Sequence, residues 1–186
     1  MLPQNNKGDV MRNQQRGFSL VEMMVVVMIL AILAAIALPL YQRYVENTNL
    51  SNAQSALIDV ANRMKVQTIR NPNLMPTLTG ISVSGNAITF EFSNTANNVV
   101  VNVDGSVTQH YALSGSRIML NQGFVVSSTS SKVNTVMGFR LKAVPKASSS
   151  FTKAAWMDSS GKVYTCETAA AADAFNTSGA CELLAK

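Results

Sequence analysis

A carboxylate at the edge of a long apolar run is the first residue whose chemistry demands an explanation. Glu22 stands beside residues 23–40, which carry no charge, and a charged side chain within a membrane costs about 2.5–3.5 kcal/mol even on lenient insertion scales. A cut between Gly17 and Phe18 would supply a partner, because it would leave an α-amino group on Phe18, four residues before Glu22. The alternative is an unpaired Glu22 that snorkels to the lipid headgroups.

Few other residues could carry chemistry. The chain has one His and two Cys, which argues against an all-protein structural zinc site, since that needs about four ligands; we expect no metal and no cofactor. His110 lies in a polar stretch, which is more typical of a solvated loop or strand end than of a general base. The sequence shows no nucleophile elbow, phosphate-binding glycine loop or metal-ligand spacing. We therefore expect that the protein is not an enzyme.

The composition indicates one domain with an unusual concentration of apolar residues. The chain has 186 residues, a net charge of +5 and only 13% charged residues, against about 25% in ordinary soluble domains. Most of the excess apolarity lies near the N-terminus, and the remainder is rich in Ser, Thr and Asn. This distribution argues against intrinsic disorder and against a multi-span membrane protein.

The apolar run is long enough to cross a membrane. The 18 residues of 23–40 would span roughly 27 Å as a helix at about 1.5 Å per residue. The segment before it carries more basic than acidic residues: Lys7, Arg12 and Arg16 against Asp9. This bias predicts a cytoplasmic N-terminus and an outward-facing remainder. A cleaved secretory signal is the alternative, but residues 41–44 follow the run without a small-residue cleavage pattern.

The motif around the candidate cut carries a resemblance. Residues 16–24 read RGFSLVEMM, and they are followed by the apolar run to Pro39 and by YQRY at 41–44. This segment resembles the N-terminal signature of the class IVa type IV pilins. The resemblance implies the α+β type IV pilin fold, in which a long, partly transmembrane N-terminal helix packs on an antiparallel β-sheet with a C-terminal disulfide loop. It implies three segments: a prepilin leader at 1–17, a transmembrane and filament-core helix at 18–40, and a periplasmic head at 41–186.

The resemblance also assigns roles to particular residues. It implies that a prepilin peptidase cuts between Gly17 and Phe18 and then N-methylates Phe18. Glu22 is implied to neutralise the terminal amine of a neighbouring subunit during filament assembly, since an unpaired charge in a filament core is costly. Pro39 is the expected place for local melting of the helix during assembly, because proline removes a backbone donor and clashes with the preceding turn. Ala31 stands where the family often has the poorer helix former Gly.

The leader is longer than the family pattern. It has 17 residues, whereas the stretch 11–17 alone has the usual length. We therefore expect translation to start at Met11, with Met1 as the alternative.

Beyond the apolar run, the sequence predicts that the same helix continues and that strands follow it. One helix is expected from Phe18 to about Arg70, ended by Asn71 before Pro72. A stripe at 3–4 spacing should pack on a sheet: Ala53, Ala56, Leu57, Val60, Ala61 and Met64. Alternating residues joined by short turns then predict an antiparallel sheet. The candidate strands are 87–92, 99–103, 124–127, 135–142, 151–157 and 162–166, with a short exposed helix within 168–175.

The two cysteines lie near the C-terminus. The topology puts Cys166 and Cys181 in an oxidising compartment, so we expect a disulfide, worth about 3 kcal/mol on the chain-entropy model. In type IV pilins the analogous loop is a surface of the filament. Residues 167–180 are therefore the candidate contact surface; the alternative is a loop that serves only as a structural staple.

The C-terminal third is similar to one branch of the family. The residues that carry the similarity are RLKAVP at 140–145, Phe151-Thr152, Trp156-Met157, residues 164–166 and Cys181-Glu182. They resemble PilX-type minor pilins, which promote bacterial aggregation and adhesion. The implied protein is a minor pilin held in the inner membrane by a single span, with its head in the periplasm, before it joins the extracellular pilus. The implied partners are other pilin subunits, the prepilin peptidase and pilins of neighbouring cells.

Two other functions remain open. A DNA-uptake minor pilin could use the basic residues between 132 and 162: Lys132, Arg140, Lys142, Lys146, Lys153 and Lys162, against Asp158. Arg140 and Lys142, however, alternate with apolar neighbours, as the solvent-facing side of a strand would. A type II secretion pseudopilin shares the same N-terminus, but the disulfide loop favours a pilus subunit.

Overall fold

The computed structural model describes residues 18–120, 135–177 and 179–184. The predicted leader 1–17, including Gly17 and Met11, lies outside the described residues, as do the candidate strand 124–127 and Lys132.

One helix, α1 (Leu20–Arg70), begins almost at the first described residue. Its apolar part is exposed, and an 18-residue window reaches a mean hydropathy of 2.9 with none of it buried. By length and composition this part could span a membrane. The helix continues through Pro39 and ends one residue before Asn71, so the predicted helix is confirmed at both ends to within two residues.

The second half of α1 buries one side against the rest of the head. Its buried residues are Leu50, Ala53, Gln54, Leu57, Val60, Ala61 and Met64. They follow the 3–4 spacing of the predicted stripe, although Ala56 is only half-buried. The one polar member, Gln54, donates through Nε2 to Thr165 Oγ1 at 2.7 Å, which satisfies a buried amide at the helix–sheet contact.

Two antiparallel sheets follow α1. The first has the order β1 (Leu78–Ser84), β2 (Ala87–Phe92) and β3 (Val99–Asn102). A short helix, α2 (Gly105–His110), leads into the second sheet. That sheet is a meander of five strands: β4 (Tyr111–Leu120), β5 (Thr135–Pro145), β6 (Ala154–Asp158), β7 (Val163–Cys166) and β8 (Cys181–Leu183). A last helix, α3 (Ala169–Asp173), lies within the loop between β7 and β8.

The α+β class with antiparallel strands is confirmed, but the prediction of a single sheet is wrong. Strands β1, β4 and β8 were missed, because Gly and Ser residues interrupt the alternation in β1 and β4 and β8 has only three residues. β5 extends to Pro145, three residues beyond the predicted end. β6 starts at Ala154 rather than 151, since the residues before it bond to α1 instead of to a neighbouring strand.

The five-stranded sheet is covered on both faces. One face contributes Leu141, Ala155 and Met157 to the core that includes the buried side of α1. The opposite face contributes Ala154 and Trp156 to a second cluster with the C-terminal loop. Because residues 154–157 of β6 are buried on both faces, they form an unbroken apolar run rather than an alternating one.

Candidate assembly and contact sites

The two residues predicted to function at the start of α1, Phe18 and Glu22, are both exposed. Phe18 is 74% exposed and lies two residues before the helix. Met23 N bonds to Ser19 O at 3.2 Å, so Glu22 lies within the first turn. At this position the positive end of the helix dipole favours a negative charge. The exposed Glu22 carboxylate can therefore receive an ammonium group from another molecule.

The C-terminal loop is closed as the sequence predicted. A disulfide joins Cys166 and Cys181, which are separated by 15 residues and face each other across β7 and β8. The ladder continues into the loop, because Glu167 N donates to Ala180 O at 3.0 Å. Thr168 caps α3 by accepting a hydrogen bond from Ala171 N. The predicted helix within 168–175 is thus present as α3, but two of its alanines are buried.

An aromatic cluster under the loop supports it from the sheet. Trp156 stacks on Tyr164 with the ring centroids 4.2 Å apart and the planes 9° from parallel. Phe175, from the loop, meets Trp156 edge-on at 5.5 Å. The indole Nε1 of Trp156 also donates to Asn176 O at 2.9 Å. The loop therefore rests on an aromatic platform as well as on its disulfide, and aromatic pairs of this kind contribute about 0.5–1.5 kcal/mol beyond burial.

Two cations that the sequence placed on a solvent-facing strand side contact this loop instead. The guanidinium carbon of Arg140 lies 5.1 Å from the Phe175 centroid and 5.9 Å from that of Trp156. Lys142 Nζ lies 5.6 Å from the Phe175 centroid and 2.5 Å from Asp173 Oδ1. The expectation was wrong because the loop folds back over that side of β5. The continuous apolar run of β6 was the sequence signal that this side is covered.

Two other basic residues of the stretch 132–162, Lys146 and Lys153, bond to polar groups elsewhere in the head. Lys146 Nζ donates to Thr108 O, and Lys153 Nζ donates to Asn47 Oδ1 at 3.2 Å. These contacts engage the ammonium groups of Lys146 and Lys153 within the chain.

A charged contact that sequence reasoning missed joins α1 to the segment before β6. Glu46 Oε1 accepts hydrogen bonds from Thr152 N at 2.6 Å, Lys153 N at 2.8 Å and Thr152 Oγ1 at 3.2 Å. Burial raises the pKa of Glu46, but the hydrogen bonds from Lys153 and Thr152 outweigh it and hold the pKa below its ordinary value. No local pattern could have revealed this pair, since the partners are 106 residues apart.

Tyr111 lies beside this contact with a buried side chain. It is 0% exposed, and its hydroxyl bonds to no atom of the described residues. Burial, followed by the negative charge of Glu46, raises the pKa of Tyr111 to about 12.

His110 lies at the end of α2, close to its expected position at an element boundary. Its ring centroid is 5.2 Å from that of Phe151, and its backbone oxygen accepts from Lys146 N at 2.9 Å. Within the ranges that the structure describes, no group of three or more His, Cys, Asp or Glu residues is arranged to hold a metal.

Two family models match the chain at its two candidate sites. The prokaryotic N-terminal methylation motif matches residues 12–38, which include Phe18 and Glu22. The minor type IV pilin family, PilX, matches residues 116–184, which include the disulfide and the aromatic platform beneath its loop.

Several curated relatives share a short region with the chain. The type IV major fimbrial protein FimA of Dichelobacter nodosus is 49% identical over 45 residues, which are 24% of this chain and 29% of FimA. The fimbrial protein of Moraxella nonliquefaciens is 54% identical over 41 residues, 22% of this chain and 27% of that protein. The matched region is thus less than a third of the length of these relatives.

A solved structure gives a further comparison. The crystal structure of the minor type IV pilin PilX of Neisseria meningitidis superimposes with a TM-score of 0.46 at 18% identity, covering 75% of this chain and 99% of that chain.

The two family matches define the class of protein. Near its N-terminus the chain is similar to proteins with the prepilin methylation motif, and its C-terminal part is similar to the PilX-type minor type IV pilins. The resemblance drawn from the sequence is confirmed, whereas the cleavage position, the methylated residue and the roles of Glu22 and Pro39 remain predictions.

Proposed function

We propose that this minor pilin is cut between Gly17 and Phe18 by a prepilin peptidase, which N-methylates Phe18, and that it then enters a type IV pilus. The mature chain would have three parts: a helix at 18–40 that holds it in the inner membrane and later in the filament core, a head at 41–186, and the loop 166–181 on that head. The exposure of the whole apolar part of α1, with Glu22 in its first turn, is the observation that carries this proposal.

Assembly into a filament would satisfy both the apolar surface of α1 and the charges at its start. A filament removes the exposed apolar side chains of α1 from lipid and packs them against other helices. Within that packing, Glu22 and the new amine of Phe18 cannot remain unpaired, since an isolated buried charge costs several kcal/mol. Pairing Glu22 of one subunit with the Phe18 amine of the next satisfies both groups and fixes the axial register.

Substitution of Glu22 tests the pairing role. Glu22→Ala should leave the protein in the membrane fraction, because the apolar run is intact, but should remove it from sheared pili. Glu182→Ala, which removes an exposed carboxylate of the head, is the matched control and should incorporate normally. Normal incorporation of Glu22→Ala would contradict the pairing.

The aggregation role is proposed for the disulfide-bounded surface, residues 167–180. Its support is the way the loop is held: the aromatic platform, the Arg140 and Lys142 contacts and the disulfide together fix a surface on which Glu167 and Thr177 are exposed. A fixed surface loses less conformational entropy on contact with a pilin of another cell.

Separate scoring of piliation and clumping tests this role. Glu167→Ala/Thr177→Ala should reduce clumping while pili remain, and Cys166→Ser should reduce it further by loosening the loop. Ser148→Ala/Ser150→Ala changes two exposed residues elsewhere and is the control. Unchanged clumping in the Cys166→Ser strain would leave the loop as a structural staple.

A further inference from the structure

A groove on the head, on the side of the sheet that α1 covers, has no role in the proposed function. It has a volume of about 680 Å³ and lies between α1 and the strands β6 to β8. Its apolar lining includes Ile58, Met157, Val163 and Leu184. Ile58 is 36% and Leu184 is 46% exposed, so this part of the lining is open to a partner.

Two lysines stand at this groove, one on each wall. Lys65 lies on α1 and Lys162 lies in the turn between β6 and β7. The ammonium groups of Lys142, Lys146 and Lys153 are all bound within the chain. By contrast, those of Lys65 and Lys162 bond to nothing in residues 18–120, 135–177 and 179–184. The groove therefore combines an apolar lining with two lysine ammonium groups that form no direct ion pair with a described residue.

The open edge of the second sheet runs along the same groove. β8 is the last strand in that sheet, and Leu184 N bonds to Val163 O at 2.8 Å. Hydrogen bonding alternates along an antiparallel pair, so the backbone N–H and C=O of Leu183 point away from β7. Within residues 18–120, 135–177 and 179–184 no strand pairs with this edge, so these groups can pair with a strand from another molecule.

We propose that this groove binds an extended peptide segment of a partner protein, with alternating apolar and acidic side chains. The segment adds to the edge of β8 through the backbone of Leu183. Its apolar side chains enter the groove against Ile58 and Leu184, and its carboxylates contact Lys65 and Lys162. Charge complementarity selects this occupant, and strand addition supplies its backbone hydrogen bonds. The surface is separate from residues 167–180, so its use does not depend on the aggregation role.

A defined peptide tests the proposal on the full chain in nonionic detergent micelles. The probe is a fluorescein-labelled decapeptide of alternating valine and glutamate, and its binding is followed by fluorescence anisotropy. We expect saturable binding that weakens with added salt. The same peptide with lysine in place of glutamate should not bind.

Charge reversal locates the binding. Lys65→Glu/Lys162→Glu should weaken binding of the probe at least tenfold. Arg70→Glu/Lys146→Glu makes the same change in net charge outside the groove and should stay within twofold of the parent chain. Absence of binding to the parent chain, or an equal loss in both double variants, would overturn the proposal.

A proline at the edge tests the strand-pairing mode. Leu183→Pro removes only an outward-pointing donor, and proline is tolerated at such edge positions. It should bind the probe at least fivefold more weakly than Leu183→Ala, which shortens the side chain but keeps the N–H. Circular dichroism establishes that both variants fold. Equal binding by the two variants would overturn strand addition.

Discussion

Glu46 Oε1 lies 2.6 Å from the backbone nitrogen of Thr152 and joins the long helix to the segment that leads into β6. Lys153 N donates to the same oxygen at 2.8 Å. One carboxylate thus accepts hydrogen bonds from two consecutive backbone N–H groups, which lie before the start of β6 and therefore have no partner in the sheet. This contact places α1 over the sheet at a point that the apolar stripe alone does not fix, since the stripe specifies which side of the helix is buried but not where along the sheet it lies.

Replacement of Glu46 should destabilise the head in a pH-dependent way. Glu46→Ala should cost about 2–3 kcal/mol, because hydrogen bonds to a charged group are worth about 1.5–3 kcal/mol each and part of the loss is recovered by water. The lowered pKa of Glu46 means that its contribution is present above the ordinary pKa and is lost as the pH falls through the folded-state value. Urea unfolding from pH 7 to pH 3 should show the parent chain converging on the variant. A constant difference over that range would contradict the assigned role.

The contribution of Tyr111 to stability should be lost at high pH, whereas that of Glu46 is lost at low pH. The pKa of Tyr111 is raised to about 12, so the neutral hydroxyl favours folding below the ordinary value and this contribution is lost as the pH rises toward 12. Tyr111→Phe removes a buried hydroxyl with no partner among the described residues. It should be neutral or stabilise by about 1 kcal/mol at pH 7. Thermal unfolding from pH 8 to 12 should show less loss of stability in the variant; an equal loss would mean that the hydroxyl is solvated.

Gly115 marks a close approach between the two sheets. A Cβ at this position would lie 2.6 Å from Ile81 Cγ2, so Gly115→Ala should cost about 1–3 kcal/mol by overpacking. The double variant Gly115→Ala/Ile81→Ala removes the colliding methyl group. Its free energy of unfolding should be higher than the sum of the two single losses predicts. Strict additivity in denaturant titrations would place the strain elsewhere.

The aromatic platform should stabilise the C-terminal loop more than the ion pair between Lys142 and Asp173 does. Trp156→Phe loses the hydrogen bond to Asn176 and part of the stacking on Tyr164, and should cost about 2 kcal/mol. Asp173→Asn breaks a pair whose acidic side chain is 54% exposed and should cost less than about 1 kcal/mol. Urea titration of both variants gives the comparison, and hydrogen exchange in 167–177 should rise more in Trp156→Phe. A larger cost for Asp173→Asn than for Trp156→Phe would mean that the ion pair, rather than the aromatic platform, holds the loop in place.

Local patterns determined the parts of the fold that could be predicted. The helix from Leu20 to Arg70 follows from an apolar run, a 3–4 stripe and a proline just beyond its end, all of which act within a few residues. β2 has the predicted bounds because every second residue is buried. The disulfide followed from topology and from the presence of two cysteines.

Contacts between distant residues determined what was missed. β4 pairs with β5 along its whole length although Ser114, Gly115 and Ser116 interrupt its pattern, so pairing overrides propensity there. The Glu46 contact and the covering of Arg140 by the C-terminal loop both join segments far apart in sequence. No local spacing encodes either contact.

Mass spectrometry of the protein recovered from sheared pili tests whether Phe18 is the methylated N-terminus of the assembled subunit. We expect an N-terminal peptide that begins at Phe18 and carries one added methyl group on its α-amino nitrogen. An N-terminal peptide that retains leader residues, or an unmethylated Phe18 in assembled pili, would contradict it.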